Sequence, residues 1–285
     1  MTQVEQKVLD HGYVRYIEHW GIGEAMESEA AIIEAARQST QGSFRGWNIW
    51  HCNKCGYNFT INKIRHSISG EVPTEQGLNN WDSPLCDQSA GWSNDEKLLG
   101  FMFRNNHSTP FEFCGMTIEV KAPIIVFREW HRHRTQSYNE MSARYAPLPN
   151  ENYIPSIDRV FLTQEKNKQA QAMEGAKQLS KMDAQVWQDN IKILNEQIER
   201  IYQHGLAIGI PKELARVILP VGRYSKMRAS ANLRNWLSFL TLRMNPNAQW
   251  EIRQYANAVG EIIKITFPRT WKLFEETLEV ENVSS

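Results

Sequence analysis

The chain has 285 residues, with 32 Lys and Arg against 32 Asp and Glu, so its formal net charge is zero. That length suffices for one large domain or two small ones around a buried core, and the charge balance excludes a global field that would gather nucleic acid or an acidic membrane surface. Four cysteines at uneven spacing do not make a secreted disulfide framework, no apolar run reaches membrane-spanning length, and the first residues lack a signal-peptide apolar core. A cytoplasmic protein with no membrane partner is the expectation.

Val8 to Trp20 alternates loosely around Gly12 and predicts a short strand or two. Glu24 to Arg37 predicts a helix. Ala25, Ala31, Ile32, Ala35 and Ala36 recur near helical spacing, and Glu24, Glu27 and Glu29 suit the positive end of its dipole. From Gln41 to Trp92 regularity is lost. His51-Cys52-Asn53-Lys54-Cys55-Gly56 places two thiols on one tight turn, half of a zinc-ribbon pattern. A tetrahedral site would need two more ligands, drawn from Cys86 with His66 or His51. No second Cys-x2-Cys exists. Reduced thiols in a loop insertion are the simpler reading, and no metal is assigned.

Asn94 to Asn106 returns to helical spacing through Leu98, Leu99, Phe101, Met102 and Phe103. Phe113 to Lys121 alternates, with Cys114, Met116, Ile118 and Val120 on one face of a half-buried strand. Cys114 there reads as a small hydrophobe. Pro123 opens either a helix or a new strand, and periodicity leaves both open.

The stretch Arg128 to Tyr145 holds four arginines, two histidines, two glutamates, two serines and two tyrosines. A plain solvated face would be rich in Lys and Glu. Here Trp130, Tyr138 and Tyr145 interleave with the arginines, and Ser137, Asn139 and Ser142 add groups suited to ligand contacts. Guanidinium forks bind phosphates and carboxylates bidentately, so the composition predicts a site for an anionic, flat ligand. Pro147, Pro149 and Pro155 punctuate the linker that follows.

Gln164 to His204 predicts a long amphipathic helix or helix pair, with Met173, Leu179, Val186, Ile191, Leu194, Ile198 and Ile201 on the buried side and Gly205 as its cap. Pro211 to Leu219 predicts a short helix that carries Arg216 among apolar neighbours. Arg223 to Ser230 resembles a strand. Asn232 to Arg243 predicts a helix, and Gln249 to Glu276 a last helix broken near Pro268.

Arg132-His133-Arg134, seven residues, then Ser142 resembles the R-H-R-x7-S signature of the flavin-dependent thymidylate synthases. His107-Ser108-Thr109-Pro110-Phe111-Glu112 is similar to that family's H-x-T-P-F-E loop, and Asn139 to Tyr145 to its N-E-x-S-x-R-Y. Glu213 to Pro220, and Leu242-Arg243 followed by Ala248 to Glu251, recur in the same order. The resemblance implies an α+β fold: a helix-rich single domain over 1–285 with one mainly antiparallel sheet and an inserted segment at about 48–92. It implies reductive methylation of dUMP to dTMP, with methylenetetrahydrofolate as carbon donor, NADPH as reductant and FAD as hydride carrier, in a homotetramer with active sites between chains.

By the same resemblance, His107, Thr109, Arg132, His133, Arg134, Glu140, Asn232, Arg234 and Ser238 would hold FAD. Glu129, Arg132, Glu140, Met141, Ser142, Ala143, Arg144, Arg216 and Arg243 would hold dUMP, with Arg243 as the catalytic group against the uracil. Three positions depart from the pattern: Glu129 stands where Gln is common, Ser238 replaces a frequent Asn, and Asn247 a frequent His. A related flavoenzyme acting on another pyrimidine nucleotide, for example by hydroxymethylation, is the first alternative. A non-catalytic nucleic-acid-binding module is the second.

Overall fold

The computed structural model describes residues 4–22, 28–52, 58–60, 92–162, 170, 172 and 175–284. Strands β1 (Glu5–Val8), β2 (Gly12–Trp20), β3 (Ile49–Cys52), β4 (Asn58–Thr60) and β5 (Trp92–Ser93) precede β6 (Gly115–Pro123), β7 (Ser137–Glu140) and β8 (Tyr224–Asn232). The helices are α1 (Ala30–Arg37), α2 (Asp95–Arg104), α3 (Ile124–Trp130), α4 (Ile157–Phe161), α5 (Lys181–Ala207), α6 (Lys212–Ala215), α7 (Leu233–Arg243), α8 (Trp250–Thr266) and α9 (Pro268–Ser284). The chain divides into two compact units. The first is Met1–Glu18, Met116–Ala231 and Asn235–Ile262; the second is His19–Gly115, Asn232–Arg234 and Ile263–Ser285.

The first unit holds a five-stranded sheet in the order β1-β2-β6-β8-β7. The loose alternation around Gly12 is an antiparallel hairpin in which Val8 pairs with Gly12. A Cβ at position 12 would lie 2.0 Å from the Tyr255 hydroxyl and 2.6 Å from the Val8 carbonyl, so only glycine fits. The alternation in β6 places Met116, Ile118 and Val120 in the core and leaves Thr117 and Glu119 on the polar face. There Thr117 donates to Ser230 Oγ at 3.1 Å, and Tyr13 to Glu119 Oε1 at 2.7 Å.

Pro123 resolves in favour of a helix. It sits extended at the N-cap of α3, and the orphan N–H groups of Ile124 and Ile125 find the Arg223 and Val221 carbonyls at 3.0 and 2.9 Å. Strand β7 carried no sequence signal, because its residues are polar on both faces; it is held by antiparallel pairing with β8, Ser137 opposite Ser230 and Glu140 opposite Met227.

Helix α5 departs most from its sequence reading. It starts at Lys181, where Ser180 Oγ accepts the Asp183 N–H at 3.1 Å, and runs through Gly205 to Ala207. The left-handed residue beyond its end is Gly209 (φ 89°). Val186, Leu194 and Ile201, expected inside, are 54, 54 and 61 % exposed, and Leu179 is exposed before the helix begins. Among the described residues of α5 only Ala184 and Tyr202 are buried. The apolar spacing marks an amphipathic helix correctly, but among the described residues nothing covers that face. Met173 lies outside the described residues.

Arg216 proves exposed in a 3-10 turn (Arg216–Ile218) after α6. The buried arginine is instead Arg223, fully enclosed, which ion-pairs with Glu199 of α5 and donates to the Pro149 carbonyl at 2.9 Å and Asn150 Oδ1 at 3.0 Å.

In the second unit β3 pairs with β4 and β5 in a small sheet. Glu29, expected to serve its own helix dipole, takes the Thr270 and Arg269 N–H groups at 2.6 and 3.1 Å and so caps α9. Burial pushes its carboxyl up, against the opposing pull of those hydrogen bonds. Glu24, Ala25 and Glu27 lie outside the described residues, as do Cys55, His66 and Cys86. His51 Nδ1 lies 2.8 Å from Asn58 Oδ1. Among the described residues no group of three or more potential metal ligands occurs, and no helix is long and apolar enough to cross a membrane.

Candidate active site

In the first unit the arginine-rich stretch folds as a helix, a turn and a strand over an aromatic floor. Trp130, fully buried, stacks on Phe239 of α7 with centroids 4.6 Å apart and donates its indole N–H to Gln136 Oε1 at 3.0 Å. Tyr138 donates its hydroxyl to the His133 carbonyl at 2.6 Å, and Asn235 donates its amide to the Thr135 carbonyl at 3.0 Å. These ties fix the turn 132–135. They leave Arg132 and Arg134 exposed and His133 half-buried.

His133 Nε2 accepts from Arg243 Nε at 2.8 Å, and its ring lies edge-on to Phe239 at 4.9 Å. Burial first, then the Arg243 charge, push His133 down to about 4 against an upward pull from Glu129. The imidazole is therefore neutral at pH 7, with its proton on Nδ1. Arg243 also donates from Nη1 to Glu129 Oε2 at 2.9 Å and from Nη2 to the Glu129 carbonyl at 2.9 Å.

One face of α3 opens onto a cavity of about 390 Å³. Ile124, Phe127, Arg128 and His131 contribute from that face at the i, i+3, i+4, i+7 spacing of a helix. Across from them stand Glu140, Met141, Ser142 and Ala143, and Leu148, Arg216 and Leu219 complete the wall. Met141 N–H bonds to the Lys226 carbonyl at 2.8 Å, extending the β7 pairing, and the Ser142 carbonyl accepts the Tyr145 N–H at 3.0 Å to turn the chain. Two guanidinium groups, a hydroxyl and a carboxylate thus surround an apolar bottom. Such a set can hold an anionic group at one end and a flat ring at the other.

Of the residues predicted for the nucleotide, Glu140, Met141, Ser142, Ala143 and Arg216 line this cavity. Glu129, Arg132, Arg144 and Arg243 do not: Arg144 pairs with Glu213 at 3.3 Å on the surface, and Glu129 is committed to Arg243. Arg128 and His131 were missed, although their spacing from Ile124 and Phe127 would have shown them once Pro123 was taken to open a helix. Ser238 is exposed on α7.

In the second unit the His107 loop and the start of α7 meet. His107 is exposed and lies edge-on to Phe101 at 5.5 Å, and Thr109–Glu112 forms a 3-10 turn. Arg234 ion-pairs with Glu112 of that turn, and the Leu233 N–H bonds to the Cys114 carbonyl at 2.8 Å, which sets Asn232 and Arg234 beside it. Burial raises the Cys114 thiol far above the ordinary range, so it is no nucleophile.

Residues 22–269 match a family model described as thymidylate synthase complementing protein. The flavin-dependent thymidylate synthase of Ehrlichia ruminantium (strain Gardel) is 39% identical over 272 residues, covering 95% of this chain and 73% of that protein. The chain belongs to the flavin-dependent thymidylate synthases. The synthase of Rickettsia prowazekii (strain Madrid E) is 32% identical over 294 residues, covering 98% of this chain and 81% of that protein. Among solved structures, the UMP/dUMP methylase PolB from Streptomyces cacaoi bound with 5-Br UMP aligns with a TM-score of 0.66 at 26% identity, over 95% of this chain and 96% of that one. Membership makes the chain an enzyme, and its helix-rich α+β architecture with a mainly antiparallel main sheet is that of a flavin-dependent thymidylate synthase.

Proposed function

We propose that the protein converts dUMP to dTMP by reductive methylation in the cytoplasm, taking the carbon from methylenetetrahydrofolate and reducing equivalents from NADPH through FAD. The observation that supports this best is the 390 Å³ cavity with Arg128, Arg216 and Ser142 around an apolar bottom. Arg128 and Arg216 offer two cations to a 5′-phosphate, and Ser142 with the main chain of Met141 and Ala143 offers neutral contacts to the rest of the nucleotide. Arg132 and Arg144 join from the rim, Arg144 by exchanging Glu213 for the ligand. Arg243 stabilises negative charge on the uracil as C5 becomes nucleophilic, electrostatic activation in place of a thiolate.

The residues present fit a flavin. Arg132 and Arg134 are exposed cations on a turn whose backbone is tied down, a donor set suited to an anionic cofactor, and His133 beside them is neutral. Flavin contacts are assigned within each unit separately: Arg132, His133, Arg134, Glu140 and Ser238 in the first, His107, Thr109, Asn232 and Arg234 in the second. When bound, FAD supplies the hydride; the chain's own residues hold and orient it. A homotetramer with active sites between chains is part of the same reading. It is supported by the apolar stripe of α5, where Met182 is 75 % and Ile201 61 % exposed, since large exposed apolar faces mark interaction surfaces.

The solved neighbour is named a UMP as well as a dUMP methylase, which favours UMP as a second substrate to test. Reconstitution with FAD followed by NADPH reduction, with methylenetetrahydrofolate and either dUMP or UMP present, separates the readings. A yellow protein that bleaches and yields dTMP supports the proposal. Methylation of UMP alone would move it to the ribonucleotide, and a colourless protein after reconstitution would remove it.

A further inference from the structure

The arginine assigned to the uracil is already clasped. A guanidinium has five N–H donors. Arg243 spends three of them on two residues: Nε on His133 Nε2 at 2.8 Å, Nη1 on Glu129 Oε2 at 2.9 Å and Nη2 on the Glu129 carbonyl at 2.9 Å. One donor on each terminal nitrogen remains. Glu129 therefore holds Arg243 twice, through its side chain and through the backbone of α3, while His133 closes the third side. The backbone contact needs only that α3 end where it does, with Trp130 locked under it by Phe239. The side-chain contact needs a carboxyl or carboxamide oxygen at position 129.

We propose that Glu129 is a positioning residue of this enzyme: its carboxylate and carbonyl clasp Arg243 against His133, so that the nucleotide meets an Arg–Glu pair of zero net charge with two N–H donors to offer, rather than a bare swinging cation. The inference rests on the assignment of Arg243 to the uracil for its consequence in catalysis, but the clasp itself does not. Its chemical effect is to make recognition by Arg243 depend on directed hydrogen bonds more than on charge. It also gives Glu129 a role that needs no direct contact between a carboxylate and an anionic nucleotide. Exchanging the carboxylate for a carboxamide keeps an oxygen acceptor for Nη1 while removing the charge. Exchanging it for a methyl group removes the side-chain half of the clasp and leaves the backbone half.

His133 reports on the clasp without any ligand. The charged groups acting on it are Arg243, from α7, and Glu129, from α3; Arg243 pushes its pKa down and Glu129 pulls it up, both on top of burial. If Glu129 acted only by its field, removing it would lower the His133 pKa further. If the Glu129 carboxylate holds Arg243 against His133, removing it frees Nη1, the guanidinium pivots on its remaining backbone contact away from the ring, and the pKa rises. The two accounts differ in sign.

The test is an NMR titration of the full-length protein with labelled histidine, the His133 signal being assigned by its loss in His133→Gln. Glu129→Ala is expected to raise the His133 midpoint by roughly one pH unit, and Glu129→Gln to leave it at or below the wild-type value. A midpoint in Glu129→Ala that is unchanged or lower would overturn the clasp. In turnover, Glu129→Ala is expected to raise KM for dUMP and to lower kcat, each by about tenfold, with Glu129→Gln restoring kcat to within about threefold. Equal losses in both variants would overturn the positioning role. If the wild type neither binds nor methylates dUMP, the functional reading falls while the titration still decides the clasp.

Discussion

Two stretches of the first unit mix charge and apolar side chains in opposite ways. In residues 128–145 the arginines face outward over a fully buried floor of Trp130 and Phe239. In α5 large apolar side chains stand outward among the polar ones, Met182, Val186, Ile193 and Ile201 among them, while the helix spends a carboxylate, Glu199, on the buried Arg223. The difference teaches that periodicity identifies which residues share a face, not what covers that face. The first stretch is covered from within by its own chain. The second is left open by the described residues, and the proposed homotetramer would cover it with another copy.

The floor is where that contrast breaks hardest. Trp130→Ala removes the stack on Phe239 and strands the Gln136 amide, so denaturant melts are expected to show a loss of about 3–5 kcal/mol. A loss below about 1 kcal/mol would mean the turn does not rest on it. Arg243→Ala tests the charged side directly: methylation falls by roughly 10²–10³, about 3–4 kcal/mol, while bound flavin is retained by its absorbance. Near-normal turnover would remove Arg243 from the chemistry. Arg216→Gln should raise KM for dUMP by about tenfold, ~1.4 kcal/mol, with kcat held within about twofold, as steady-state kinetics would show.

For the uncovered face, Ile193→Glu with Ile201→Glu is expected to weaken assembly by at least about tenfold, ~1.4 kcal/mol, read as a fall in mass by light scattering with unchanged helical circular dichroism. Unaltered mass would leave the stripe without a partner copy. The smallest effect concerns His133, held below its ordinary range, down to about 4. As pH falls the unfolded chain takes up this proton first. Its contribution to stability is thus fully present above about 6.5 and is lost between about 6.5 and about 4, roughly 1 kcal/mol once solvent screening of a half-exposed group is discounted. Comparing wild type with His133→Gln in melts across that window checks it.

Much of this was legible in the residues alone. Strong alternation showed β6, helical spacing with Asn94 ahead of it showed α2, and Pro268 marked the break between α8 and α9. Strand β7 was not legible, because polar residues on both faces give no period-two signal and only its pairing with β8 defines it. The coverage of α5 was illegible for the reason its contrast with the arginine turn makes plain. At the site, Ser142 and Arg216 were found through family motifs, whereas Arg128 and His131 became visible only when α3 proved helical. Apolar neighbours in sequence singled out Arg216, yet the buried charge is Arg223, whose Glu199 partner lies 24 residues away in sequence, beyond the reach of any local pattern.

The most direct test of the central claim is product analysis. The FAD-loaded protein is incubated with dUMP, methylenetetrahydrofolate and NADPH, and the nucleotides are resolved by chromatography and mass. The account predicts dTMP that appears only when all three are supplied and disappears with Arg243→Ala. No dTMP from a protein that has taken up FAD, or dTMP formed at the same rate by the Arg243 variant, would contradict it.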